Sequence, residues 1–149
     1  MWCLNVTTIN LHPRRAARQC VLEALFAYQF SKNDRMEIID QLVNENPELN
    51  DNYDFIKLLF NCVFTKMQWA ESIIKYHLEN WELERVALID KILLKMGICE
   101  IYFIKDIPPK VTISEMVEIA KIYSTDESPI FINGILDAIF KDYLKKNKE

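Results

Sequence analysis

The segment Trp81–Tyr102, WELERVALIDKILLKMGICEIY, decides the fold. Val86, Leu88, Ile89, Ile92, Leu93, Leu94, Met96, Ile98 and Ile101 surround the helical turn rather than lining one side of it. A helix apolar nearly all round belongs in the middle of a bundle, with the other elements packed on it. Gly97 costs about 1 kcal/mol relative to alanine inside a helix, which predicts the close approach of a neighbouring helix there.

Two glycines and five prolines among 149 residues argue for helices over a turn-rich sheet protein, and they leave no glycine-rich loop to cradle a phosphate. Half of the residues are hydrophobic and 27% are charged, the balance of a globular protein of one domain. The net charge of −4 is unevenly spread: residues 1–30 carry +2, 31–104 carry −5 and the remainder −1. Cys3, Cys20, Cys62 and Cys99 form no CxxC pair, and His12 and His77 complete no ligand cluster. The cysteines are therefore expected as reduced hydrophobes in a cytoplasmic protein without metal or other cofactor. The opening MWCLNVTTINL lacks a basic start and a long apolar run, so neither a signal peptide nor a membrane span is expected.

Residues 1–12 are expected to form an N-terminal leader and 13–149 a single helical domain. Pro13 suits the first position of a helix whose one face is Ala17, Val21, Ala24, Leu25 and Tyr28. Arg14, Arg15 and Arg18 crowd its opening turn, either as a solvated basic turn or as an anion-facing patch. A short helix is predicted over 34–44 and a loop around Pro47. Helical spacing from Tyr53 to Leu78 leaves open one helix or two with a kink near Thr65. Pro108 and Pro109 must end the segment that opened this reading. Thr112 and Glu115 fit a capping box, with Val111 stapled on Met116, for a helix reaching Tyr123. Ser128 as cap and Pro129 in the first position open a last helix, which takes in Asn133 and Gly134 and reaches about Leu144. Carboxylates such as Asp90, Glu100 and Glu118 sit where solvation, capping or lysine pairing explains them, and no enzyme constellation emerges.

Three blocks, RRAARQCVLEALFAYQFS from Arg14, the opening segment itself, and IPPKVTISEMVEIAKIYS followed by FINGILD up to Asp137, resemble the NusB family of bacterial transcription antitermination factors. The resemblance implies an all-α bundle of six to seven helices. It also implies a protein that binds boxA-type leader RNA with NusE, a small-subunit ribosomal protein, so that an RNA polymerase antitermination complex reads through rRNA operons. On that resemblance Arg14, Arg15 and Arg18 contact RNA, Tyr123, Glu127, Ser128 and Phe131 form a second RNA-facing edge, and Asp90 belongs to the NusE surface. Ser114 stands where the family has asparagine, Lys95 where it has arginine, and Ala16 interrupts the arginine cluster. The alternative is a helical scaffold, or a homodimer, in which the RNA surface is lost or masked.

Overall fold

Helix boundaries in this chain follow its prolines and its apolar spacing. The computed structural model describes residues 13–31, 33–79 and 82–148. Its α-helices are α1 (Pro13–Phe30), α2 (Arg35–Glu45), α3 (Tyr53–Thr65), α4 (Met67–His77), α5 (Leu88–Phe103), α6 (Pro109–Tyr123) and α7 (Ser128–Lys146). Short 3-10 turns occupy Pro47–Asn52 and Leu83–Arg85. The described residues contain no strand, so the chain is all-α, as its composition implies. The leader of residues 1–12 and Trp81 lie outside the described residues. Two compact units are present, one up to Asn61 and one from Cys62.

In the first unit, Pro13 opens α1 as expected, and small residues line its buried face: Ala16, Ala17, Cys20 and Ala24. Ile38, Ile39 and Val43 bury the inner face of α2. Leu49 anchors the 3-10 turn, whose Leu49 N–H donates to the Asn46 carbonyl at 2.9 Å. The chain from Tyr53 to His77 is two helices: Lys66, at φ −104° and ψ 15°, separates α3 from α4. Its N–H still reaches the Cys62 carbonyl at 2.9 Å, so the ladder bends without losing that bond.

In the second unit, α5 is the buried post the sequence predicts, with every residue from Ile92 to Ile101 buried. It starts later than the apolar pattern does. Val86 and Ala87 are extended, with ψ near 134° and 143°, because Leu83 and Val86 are buried from the preceding 3-10 turn instead. Gly97 meets its expected close neighbour: a Cβ there would stand 2.8 Å from Leu136 Cδ1 of α7. Gly134, on the exposed side of α7, has nothing near it.

Both predicted caps need correction. α6 begins at Pro109 with Pro108 as its extended cap, since two prolines already hold the φ values a helix start requires. Thr112 is thus inside the first turn, and its hydroxyl donates to Glu100 Oε1 of α5 at 2.9 Å. Val111 remains 44% exposed. Ser128 is the first residue of α7 rather than its cap, and its hydroxyl is spent on Asp90.

The charged residues of α5 are tied off in turn. Lys95 Nζ donates to Glu71 Oε2 of α4 at 2.8 Å, and fully buried Glu100 takes the Thr112 bond. A buried ion without partners is strongly destabilising, so these bonds fix which neighbour each part of α5 faces. Gly97→Ala should cost about 1 kcal/mol through overpacking against Leu136, whereas in a Leu136→Ala background the same change should stabilise by about 1 kcal/mol. Urea denaturation of the parent chain and the three variants reads both values.

Candidate nucleic-acid interface

Asp90 lies in the first turn of α5, where the helix dipole favours a carboxylate. It is only 6% exposed. Ser124 Oγ donates to its Oδ1 at 2.7 Å and Ser128 Oγ donates to its Oδ2 at 2.8 Å. Ser128 Oγ also lies 2.8 Å from both Ser124 Oγ and Thr125 Oγ1. Four contacts compete for three hydroxyl protons, so with both carboxylate bonds made, Thr125 donates to Ser128 and the Ser124–Ser128 contact carries no proton. The resemblance assigns Asp90 to the NusE surface; in the structure its carboxylate is buried and anchors the turn between α6 and α7.

Over this anchor opens a hollow of about 330 Å³. Arg85, Val86 and Ala87 line it together with Asp90, Thr125, Glu127, Ser128 and Phe131. Phe131 is half-buried and Glu127 exposed, so an aromatic ring, a carboxylate and a guanidinium line one opening. Tyr123, half-buried at the end of α6, does not line it.

The arginines of α1 do not form one solvent-facing row. Arg14 is half-buried: its Nε donates to Asn52 Oδ1 at 3.2 Å and its guanidinium lies 4.2 Å over the Phe55 ring. Arg18, one turn on, is 1% exposed with its guanidinium 5.5 Å from the same ring. An aromatic face attracts a guanidinium and lets it pack in a partly apolar setting. Arg18 is thereby corrected from a surface cation to a core one, and half-buried Arg15 holds a different position on the turn.

Of the four residues that the resemblance puts on a second RNA-facing edge, Glu127, Ser128 and Phe131 line this hollow and Tyr123 does not. Sequence reasoning missed Phe55, Ser124, Thr125 and Arg85. The run Ser124–Ser128, polar at all five positions with hydroxyls at three, was the readable signal for a hydroxyl cluster.

The described cysteines are free thiols, and Cys3 lies outside the described residues. Burial, helped by Glu23, pushes the Cys20 thiol up to about 12. Cys62 and Cys99 share a hydrogen bond that lowers the first and, together with burial, raises the second; Lys66 adds to the lowering of Cys62. Among the described residues no three His, Cys, Asp or Glu side chains gather as metal ligands, and no helix is long and apolar enough to cross a membrane.

Seven helices without strands among the described residues define an all-α protein. The chain belongs to the NusB family, whose model matches residues 15–141. The transcription antitermination protein NusB of Chloroherpeton thalassium is 39% identical over 134 residues, which are 89% of this chain and 64% of that protein. The chain therefore spans just under two-thirds of that relative's length. The NusB of Nitratiruptor is 36% identical over 87% of this chain and 92% of its own. NusB of T. maritima superposes with a TM-score of 0.73 at 35% identity, covering 87% of this chain and 92% of that one. A crystal structure of antitermination factors NusB and NusE in complex with double-stranded RNA superposes at 0.77 with 26% identity, covering 89% and 99%.

Removing the Asp90 carboxylate should leave the hydroxyls of Ser124 and Ser128 without their acceptor in a buried site. Asp90→Ala is expected to cost about 2–3 kcal/mol, and Asp90→Lys more, because it buries a cation under the hollow. Thermal unfolding of both variants beside Ser128→Ala, expected at about 1 kcal/mol, checks the order.

Proposed function

We propose that this chain is a transcription antitermination factor that binds boxA-like single-stranded leader RNA together with the ribosomal protein NusE. On this reading it acts in the cytoplasm, within an RNA polymerase antitermination complex that promotes read-through in rRNA operons. The observation that carries the reading is the hollow at the start of α7, which the half-buried Phe131 and Arg85 both line. A splayed base can stack on such a ring while a guanidinium pairs bidentately with phosphate. Membership of the NusB family, relatives named as antitermination proteins, and the solved complex of a NusB with NusE and RNA all support it.

The α1 contribution is smaller than three arginines. Arg15 and the outer edge of Arg14 serve phosphate, and Arg18 supports Arg14 from beneath through the shared Phe55 ring. Asp90 acts on NusE through the Ser124–Ser128 turn that it holds, not by direct contact. The burial of Arg18 also favours a second reading, in which the chain is an interaction scaffold or homodimer with little RNA affinity of its own.

A titration of boxA-containing RNA, with and without NusE and at two salt concentrations, decides between them. Two phosphate contacts on α1 give a log–log salt slope of about −1.4, against about −2 for three. Arg15→Glu should reduce that slope by about 0.7, and Phe131→Ala should weaken binding by roughly 1–3 kcal/mol without changing it. An affinity indifferent to NusE and to salt contradicts the antitermination reading. Unchanged binding in Arg15→Glu supports the scaffold.

A further inference from the structure

At the end of α5 opposite Asp90, roughly 18 Å along the helix axis, aromatic side chains gather on a different surface. Trp69 of α4 lies with its ring centroid 5.0 Å from that of Tyr102 and 5.3 Å from that of Phe103. Tyr102 lies 4.9 Å from Tyr143 of α7. Lysines stand over both ends of this run: Lys66 Nζ is 5.2 Å from the Phe103 centroid and Lys105 Nζ is 5.8 Å from that of Tyr143. A hollow of about 340 Å³ adjoins Tyr102, bordered by Tyr76, His77, Asp142, Lys145 and Lys146. None of these residues belongs to the hollow over Asp90.

The rings are more exposed than packing requires. Tyr76 is 81% exposed and Phe103 43%, although both sit on helices with buried faces close by. The charge of the second hollow is one-sided. Asp142 is its single lining carboxylate, and His77 Nε2 holds that group at 2.8 Å, while Lys145 and Lys146 border the same opening. Exposed ring faces beside ammonium groups suit a ligand that offers flat π-surfaces and regularly spaced anions together. An acidic peptide would use the lysines and leave the tyrosine and phenylalanine faces idle.

We propose that this aromatic and lysine face binds single-stranded RNA, taking unpaired nucleotides that flank the boxA-like element. The inference rests on the RNA-binding reading above, since the flank is delivered by an element bound elsewhere. Bases stack on Tyr76 and Phe103, whose polar or open edges remain in water. Lys66, Lys105, Lys145 and Lys146 meet the phosphates. Tethering through the boxA element raises the local concentration of the flank, so individually weak contacts suffice.

The test uses the full chain with NusE and two RNAs, a minimal boxA oligonucleotide and the same element carrying unpaired uridines on either side. The flanked RNA is expected to bind about tenfold more tightly, and Tyr76→Ala combined with Lys146→Glu to abolish that gain while leaving the minimal RNA unaffected. Both substitutions are at exposed positions outside the Asp90 hollow. Photo-crosslinking with 4-thiouridine in the flank should label peptides containing Tyr76 or Phe103. Equal affinity for both RNAs overturns the inference and leaves the boxA reading standing; failure of both RNAs to bind overturns both. A flank gain that survives the double variant overturns the inference as well.

Discussion

Burying ions inside a helical unit is tolerable only when each ion finds a partner, and α5 carries three of them. Asp90 binds the Ser124–Ser128 turn, Lys95 binds Glu71, and Glu100 binds Thr112. Each bond joins α5 to a different part of its surroundings, so together they select one arrangement of the second unit from the many that apolar surface alone would allow. Hydrophobic burial along Ile92–Ile101 supplies the driving force, but it is non-directional. The polar ties supply direction, as buried polar pairs do when they specify register.

This arrangement bears directly on the proposed RNA-facing surface. The hollow over Asp90 exists because a carboxylate at the start of α5 draws in hydroxyls from the α6–α7 turn, which in turn sets where α7 begins and where Phe131 stands. Gly97 lets α7 lie close enough for this to happen, with Leu136 filling the space a side chain would have taken. In the first unit the comparable device is Phe55, whose ring carries the guanidinium groups of Arg14 and Arg18. A cationic edge is held from beneath by a cation–π pair, which leaves one arginine inside.

Much of the fold was legible in the sequence because its signals are periodic. The all-round apolar run of α5, Pro13 at the start of α1 and the glycine at the helix contact were readable from spacing and residue type alone. What was misread shares one physical cause: a short polar side chain can bond either its own helix end or a distant group, and local pattern cannot tell which. Thr112 fits a capping box, yet Pro108 and Pro109 had already started the helix and Glu100 claimed the hydroxyl. Ser128 fits a cap, yet Asp90 claimed it. Arg18 counted as surface because arginine is seldom buried, and nothing local announced Phe55, 37 positions away. The kink at Lys66 and the late start of α5 after Val86 likewise depend on which apolar residues find a site, not on propensity.

The account stands most directly on the claim that RNA meets the protein at the edge hung from Asp90. Amide and aromatic NMR spectra of the isotope-labelled chain with NusE, followed through a titration with boxA RNA, test it. The account predicts saturable shifts at Glu127, Ser128, the Phe131 ring and Arg15, with the buried Arg18 side chain little affected. Saturable binding that leaves Glu127, Ser128 and Phe131 unmoved would contradict it.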